Sequence, residues 1–170
     1  MLVPSADNSL LQTMLWKSSP DDDTQTNHSG AGESNGLGAL SGKALDKYQI
    51  ESLLGRGGMG WVFLGRHLQL NRSCAIKVLS PELVDSDPEY LDRFCTEGQA
   101  AAALVHPNIV TVHAIGQADS LNYLEMEFVP GRSLQNILSN GGLMVWRATT
   151  LALGIANGLA AAHRQGIIHR

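Results

Sequence analysis

The sequence predicts an α+β fold: five short strands with one helix between the third and fourth, followed by further helices. Three observations predict it. Between residues 48 and 129, short runs of β-formers are separated by turn residues. A single amphipathic helical pattern interrupts them after the third run. A long helix with an apolar stripe then closes the chain.

The elements follow in order. In the first strand Tyr48, Ile50, Ser52 and Leu54 alternate with Gln49, Glu51 and Leu53, the two-residue period of a pleated strand. A glycine cluster leads to a second strand from Trp61 to His67; LQLNR makes a turn, and SCAIKVL forms the third. A polar stretch holding Pro81 and Pro88 precedes a helix from about Glu89 to Val105, which Pro107 ends. NIVTVHAIG and SLNYLEMEFV supply two further strands around a turn near Gln117 to Asp119. After Pro130-Gly131, Ser133 caps a short helix through Leu138, and Asn140-Gly141-Gly142 turns the chain. The last helix runs from about Val145 to Gln165 with Leu151, Ile155, Leu159 and Ala162 on one stripe, and Gly166 stops it.

Residues 1–46 read differently. From 17 to 46 the chain is rich in Ser, Asp, Asn, Gly and Thr, a composition too poor in apolar surface to offset ordering entropy, so a flexible tail is expected there. A short helix from Leu10 to Trp16 is only weakly signalled. Gly42-Lys43 does not complete a P-loop, because Leu37 stands where the first glycine belongs and Ala44 replaces the Ser or Thr that binds magnesium.

Bulk properties narrow the function. The chain has 170 residues, 44% hydrophobic and 16% charged, with a formal net charge of −4; a nucleic-acid-binding stripe is not expected. Cys74 and Cys95 stand alone without metal or disulfide spacing, which fits a reducing cytoplasm. The N-terminus lacks a signal-peptide pattern. The most apolar stretch, residues 148–162, falls short of the roughly 18–20 residues of a bilayer span, so no membrane segment is expected. His67, His106, His113, His163 and His169 have no metal-ligand spacing, and structural or solvent-facing roles are expected.

Three features carry chemistry. GRGGMGWV places Gly55, Gly57, Gly60 and Val62 in the pattern G-x-G-x-x-G-x-V, where missing Cβ atoms let backbone approach phosphate. A dinucleotide fold would need a helix directly after these glycines, but WVFLGRHLQL looks like a returning strand. Lys77 lies in an apolar strand with Ala75 on its own face and Ile76 and Val78 on the other. It needs a partner unless it reaches solvent at an edge. Glu97 falls within the helix stripe of Leu91, Phe94, Ala101 and Leu104, where it either pairs with Lys77 or sits at the stripe's edge in water.

Glycine loop, AIKV, helix glutamate, HPNIV, YLEMEFVPGRSL and GIIHR occur in the order found in protein kinases. From Tyr48 to Arg170 the chain resembles eukaryotic-type serine/threonine kinases of bacteria. The resemblance implies a small lobe at residues 47–129, a five-stranded antiparallel sheet carrying one helix, and at 130–170 the first helices of a mainly helical large lobe, cut off at the catalytic loop. It implies ATP as phosphoryl donor, Mg2+ in an intact kinase, and protein Ser/Thr hydroxyls as acceptors. Leu54, Gly55, Arg56, Gly57, Gly58, Met59, Gly60, Trp61 and Val62 would form or flank the loop over the phosphates, with Leu54, Val62 and Ala75 against the adenine. Lys77 would hold the α- and β-phosphates and pair with Glu97. Met126 would gate the pocket, and Glu127 and Val129 would offer backbone groups to the base. Met59 replaces an aromatic at the loop tip, and the bulk of Trp61 has no explanation in the pattern. His169 and Arg170 match the start of the catalytic loop; its aspartate is expected just after Arg170 and the metal-binding residues later. Turnover by these 170 residues alone is therefore not expected. A non-catalytic ATP-binding or regulatory role is the alternative.

Overall fold

The computed structural model describes residues 37–57, 60–87, 89–139 and 141–168. Residues 1–36, with the short helix considered at Leu10–Trp16, and Gly58, Met59, Pro88, Asn140, His169 and Arg170 lie outside the described residues.

The strands are β1 (Ala44–Leu45), β2 (Tyr48–Gly57), β3 (Gly60–His67), β4 (Arg72–Leu79), β5 (Val112–Ala118) and β6 (Leu121–Glu127). The helices are α1 (Pro81–Ser86), α2 (Glu89–Ala102), α3 (Leu134–Leu138) and α4 (Val145–Arg164). All strands belong to one antiparallel sheet in the order β1-β2-β3-β4-β6-β5.

The sheet has six strands where the sequence predicts five. The added strand comes from the end of the segment expected to be a flexible tail. Leu37–Leu40 forms a 3-10 turn and Ala44–Leu45 pairs with Tyr48 and Gln49. Composition misleads at this point because a few leucines decide the outcome. Leu37 and Leu45 are buried in the core with Tyr48 and Ile50, and Leu40 packs against them. Each fully buried side chain of this size contributes about 1.5–3 kcal/mol, which offsets the ordering of the glycines between them.

Alternation along β2 holds only at its start. Tyr48 and Ile50 are buried, but the pairing with β3 shifts register between Ile50 and Ser52 and again between Leu53 and Gly55. Residues 51–54 are exposed as a result. Two bulges bend the strand as it approaches the glycines.

The regular pairing of β3, β4 and β6 sorts side chains onto two faces, because directly opposed residues share a face. One face carries the rows Val62–Lys77–Leu124 and Leu64–Ala75–Met126. Helix α2 covers it through a core of Leu79, Phe94, Val112 and Leu124, with Leu91, Cys95, Ala101 and Met126 packed alongside. The other face carries Phe63, Cys74, Ile76, Val78 and Tyr123, and the N-terminal turn and β1 cover it. A polar cluster is built into this second face. The Tyr48 hydroxyl donates to Glu125 Oε2 at 2.7 Å, Arg72 donates to the other carboxylate oxygen at 2.5 Å, and the Tyr123 hydroxyl donates to Asp46 Oδ2 at 2.6 Å. Glu125 is only 3% exposed, and these donors make a buried carboxylate tolerable.

The polar stretch around Pro81, to which the sequence assigned no element, forms α1 with the proline in its first turn, where its missing N–H costs nothing. Helix α2 ends at Ala102, before the expected Val105, which is 88% exposed. In the following turn His106 Nδ1 accepts from the Asn108 N–H at 3.1 Å, a structural role for that histidine. Ile109 then packs with Leu104 and Ala162, joining this segment to α4. The Ser133 hydroxyl accepts from the Asn136 N–H at 3.1 Å, the expected cap of α3. Leu151 is buried against Leu134, Ile137, Leu143 and Ile155, so α3 and α4 share a second small core. Gly166, at φ +74°, lets its N–H and that of Ile167 close the end of α4 onto His163 and Ala162.

Candidate nucleotide site

The glycine-rich segment is a hairpin between β2 and β3, as the returning-strand reading requires. Gly57 pairs with Gly60, Arg56 with Trp61 and Gly55 with Val62. Gly60 has φ +145°, and a Cβ there would lie 2.1 Å from the Val78 carbonyl oxygen. This glycine is therefore demanded by the packing of β3 on β4, whether or not phosphate is bound.

Lys77 stands directly opposite Val62 on β3 and Leu124 on β6. Its side chain thus shares the α2 face of the sheet with Ala75, while Ile76 and Val78 point into the other core, the division expected from the strand's period. Burial pushes the ammonium below its ordinary range, and the negative charge of Glu97 acts in the opposite direction. Desolvation dominates.

Glu97 itself is exposed, although its place in the stripe of Phe94 and Ala101 made burial an open expectation. Position 97 lies at the stripe's edge, and the residue that faces the sheet is its neighbour, Gly98. A Cβ at Gly98 would lie 2.8 Å from Leu124 Cδ2 and 3.2 Å from Ile115 Cδ1. The absence of a side chain lets α2 approach β5 and β6 closely, and this approach brings the Glu97 charge to bear on Lys77. Sequence reasoning missed Gly98, although a glycine inside an amphipathic helix is itself a signal of close packing.

The remaining candidates fall into two groups. Val62, Ala75 and Met126 lie on the same face as Lys77, with Val62 and Ala75 buried and Met126 packed at the edge of the α2 core. Leu54 is 47% exposed beside the glycine hairpin. The Glu127 N–H donates to the Thr111 carbonyl at 2.9 Å, so any contribution of Glu127 to a base is through its carbonyl. Val129 follows the end of β6. Trp61 and Arg56 do not join this group. Trp61 is one residue from Val62 and faces the opposite side of the sheet, where it stacks on Phe63 and holds the Arg56 guanidinium 4.0 Å above its ring. Their side chains are separated from the Lys77 face by the strand itself.

A glycine-rich hairpin, a lysine on the next strand and a helix carboxylate whose charge acts on that lysine make up the small-lobe arrangement of the protein kinase type. The comparisons agree. Residues 48–170 match the family model described as protein kinase domain, and the chain belongs to that family. It is 42% identical over 130 residues to the serine/threonine-protein kinase PknJ of Mycobacterium tuberculosis, an alignment covering 76% of this chain and 22% of that kinase. It is 38% identical over 133 residues to the serine/threonine-protein kinase PrkC of Bacillus subtilis, covering 77% and 20%. The crystal structure of the Mycobacterium tuberculosis PknI kinase domain superposes with a TM-score of 0.65 at 32% identity, covering 76% of this chain and 53% of that one. The chain thus spans about half of a solved kinase domain and about a fifth of its curated relatives.

Proposed function

We propose that this chain supplies the ATP-binding part of a protein serine/threonine kinase. Residues 47–129 act as the small lobe and residues 130–170 as the beginning of the large one. The observation that carries the proposal is the placement of Lys77: a partly buried cation opposite Val62 of the glycine hairpin, with the charge of Glu97 set against it.

The residues fit a nucleotide triphosphate. Lys77 would donate to phosphate oxygens with a charge already stripped of much of its water, which strengthens the contact. Glu97 would keep the ammonium aligned. Val62, Ala75 and Met126 would exclude water around the base, and the backbone at Glu127 and Val129 would orient it. ATP bound this way presents a terminal phosphoryl group for transfer to Ser or Thr hydroxyls of a protein, the activity named for the curated relatives. Magnesium accompanies ATP in such kinases, and no residue of this chain is assigned to it; among the described residues there is no group of three or more His, Cys, Asp or Glu side chains that could hold a metal ion. The chemistry assigned to these residues therefore stops at binding and aligning the nucleotide. Two free cysteines, Cys74 buried and Cys95 partly so, support a reducing cytoplasmic setting. Among the described residues no helix is long and apolar enough to cross a membrane.

The test is a calorimetric titration of the 170-residue chain and its Lys77→Met variant with ATP. Loss of the charged contact is expected to weaken binding at least about tenfold, the equivalent of one charge-assisted hydrogen bond. Equal affinity in the two proteins would remove Lys77 from the site.

A further inference from the structure

The size of Trp61 is not explained by the nucleotide, because its indole lies on the face of the sheet away from Lys77. Its surroundings give it another task. In the hairpin it is directly opposite Arg56 and next to the closing pair Gly57–Gly60. One side of the indole receives the Arg56 guanidinium at 4.0 Å from the ring centroid. It also stacks on Phe63, with centroids 6.2 Å apart and planes at 29°. The N-terminal turn reaches it at Gly38, where a Cβ would stand 3.1 Å from indole Cζ3 and 3.3 Å from Cη2. The turn is itself fixed: Leu37 is buried, the Gly42 N–H donates to Ile50 O at 2.9 Å, and the Ile50 N–H donates to Lys43 O at 2.9 Å. The indole therefore connects the base of the glycine hairpin to a segment that precedes the sheet.

We propose that Trp61 is a positioning residue for the glycine-rich hairpin, held between the Leu37–Leu40 turn and the Arg56 guanidinium, so that the segment ahead of the sheet sets the hairpin's order and through it the affinity for ATP. The affinity part rests on the nucleotide reading given above; the ordering part does not. Without the indole the hairpin end is joined to the sheet by backbone pairs and by glycines, which resist motion least. With it, any displacement of the hairpin must also lift the ring from the turn, and the Arg56 cation on the opposite strand of the hairpin holds the ring in the position that makes this contact. The coupling is reciprocal: a ligand that orders the hairpin also orders the turn.

Two measurements on the full chain test this, using Trp61→Leu, Trp61→Phe and Arg56→Gln. The first is amide hydrogen exchange across residues 53–63 without nucleotide. Trp61→Leu and Arg56→Gln are expected to speed exchange about threefold to tenfold, the range for losing one cation–aromatic contact with its packing, and Trp61→Phe, which keeps a ring, to restore part of the protection. The second is ATP affinity, expected to weaken by a similar factor in the same order. Arg56 is exposed, so its variant keeps the test alive if Trp61→Leu does not fold. Exchange at the wild-type rate in Arg56→Gln and Trp61→Leu overturns the proposal. Wild-type ATP affinity in Lys77→Met overturns the nucleotide reading instead, and the exchange experiment still judges Trp61. Faster exchange with unchanged affinity, in a protein whose Lys77→Met variant does lose ATP, rejects the link from the turn to the nucleotide.

Discussion

Replacing Gly60 by alanine separates two reasons for a glycine that the sequence pattern merges. If its purpose is only to admit phosphate, Gly60→Ala leaves the nucleotide-free protein as stable as before. The structure argues otherwise. At φ +145° a residue with a Cβ is strained by about 1–3 kcal/mol. The new carbon would also lie 2.1 Å from the Val78 carbonyl oxygen and 3.1 Å from Leu79 Cα, whereas non-bonded contact begins near ~3.5 Å. Those atoms are backbone of the neighbouring strand, so no rotamer change relieves the overlap. The ends of β3 and β4 must separate, adding an overpacking cost of about 1–3 kcal/mol.

The expected loss is therefore about 2–6 kcal/mol in the absence of ATP. Urea denaturation followed by far-ultraviolet circular dichroism reads it directly. With a slope of about 1–3 kcal/mol per molar for a domain of this size, the midpoint falls by roughly 1 M or more. Gly42→Ala is the internal control. Its φ of +83° carries the conformational cost, but nothing lies within 4 Å of the added carbon, so its loss is expected to be only about 1–2 kcal/mol. Equal midpoints for Gly60→Ala and wild type, or equal losses at the two glycines, would refute the steric argument.

Two further predictions follow. Tyr48→Phe removes the hydroxyl that donates to buried Glu125 at 2.7 Å and is expected to cost about 1.5–3 kcal/mol, the range for a hydrogen bond to a charged group; an unchanged urea midpoint would show that Arg72 alone satisfies the carboxylate. Lys77 is harder to charge in the fold than in the unfolded chain, where its ordinary value is 10.5. In the window below 10.5 the unfolded state binds more protons, so this lysine's contribution to stability rises with pH. Cys74, pushed up to about 11 by burial and then by the Glu125 charge, contributes in the opposite sense between its ordinary 9.0 and that value. The difference between wild type and Lys77→Met isolates the lysine: the variant is expected to be no less stable at pH 7, and its advantage to shrink as pH rises, whereas an advantage that grows with pH would reverse the assigned sign.

How much of this was legible in the sequence depends on how local the cause is. The hairpin, the division of Ala75 and Lys77 from Ile76 and Val78, the Ser133 cap and the Gly166 stop each follow from chemistry within a few residues, and the structure has them. The bulges in β2 do not, because the two-residue period of Tyr48 to Leu54 carries no mark of the register shifts that break it. The turn and strand at residues 37–45 were hidden by composition. Leu37, Leu40 and Leu45 are a minority in a glycine- and serine-rich stretch, and only the outer face of a sheet formed by later residues gives them something to cover. Exposure of Glu97 was equally non-local. Its place on the stripe was right, but how far the stripe's edge meets solvent is set by the close approach that Gly98 allows.

The same distinction accounts for Trp61. Residues 60–64 alternate between the faces of one strand, so each step along the chain crosses from one environment to the other. Val62 and Leu64 look toward α2 and Lys77; Trp61 and Phe63 look toward the N-terminal turn. A motif read along the sequence assigns both Trp61 and Val62 to the loop over the nucleotide, since adjacency is all it records. The sheet assigns them to two layers that share a backbone but no side-chain contact. Trp61 can therefore influence a bound nucleotide only by fixing the strand from behind, and the contacts that would let it do so, to Gly38 and Arg56, are present on that side.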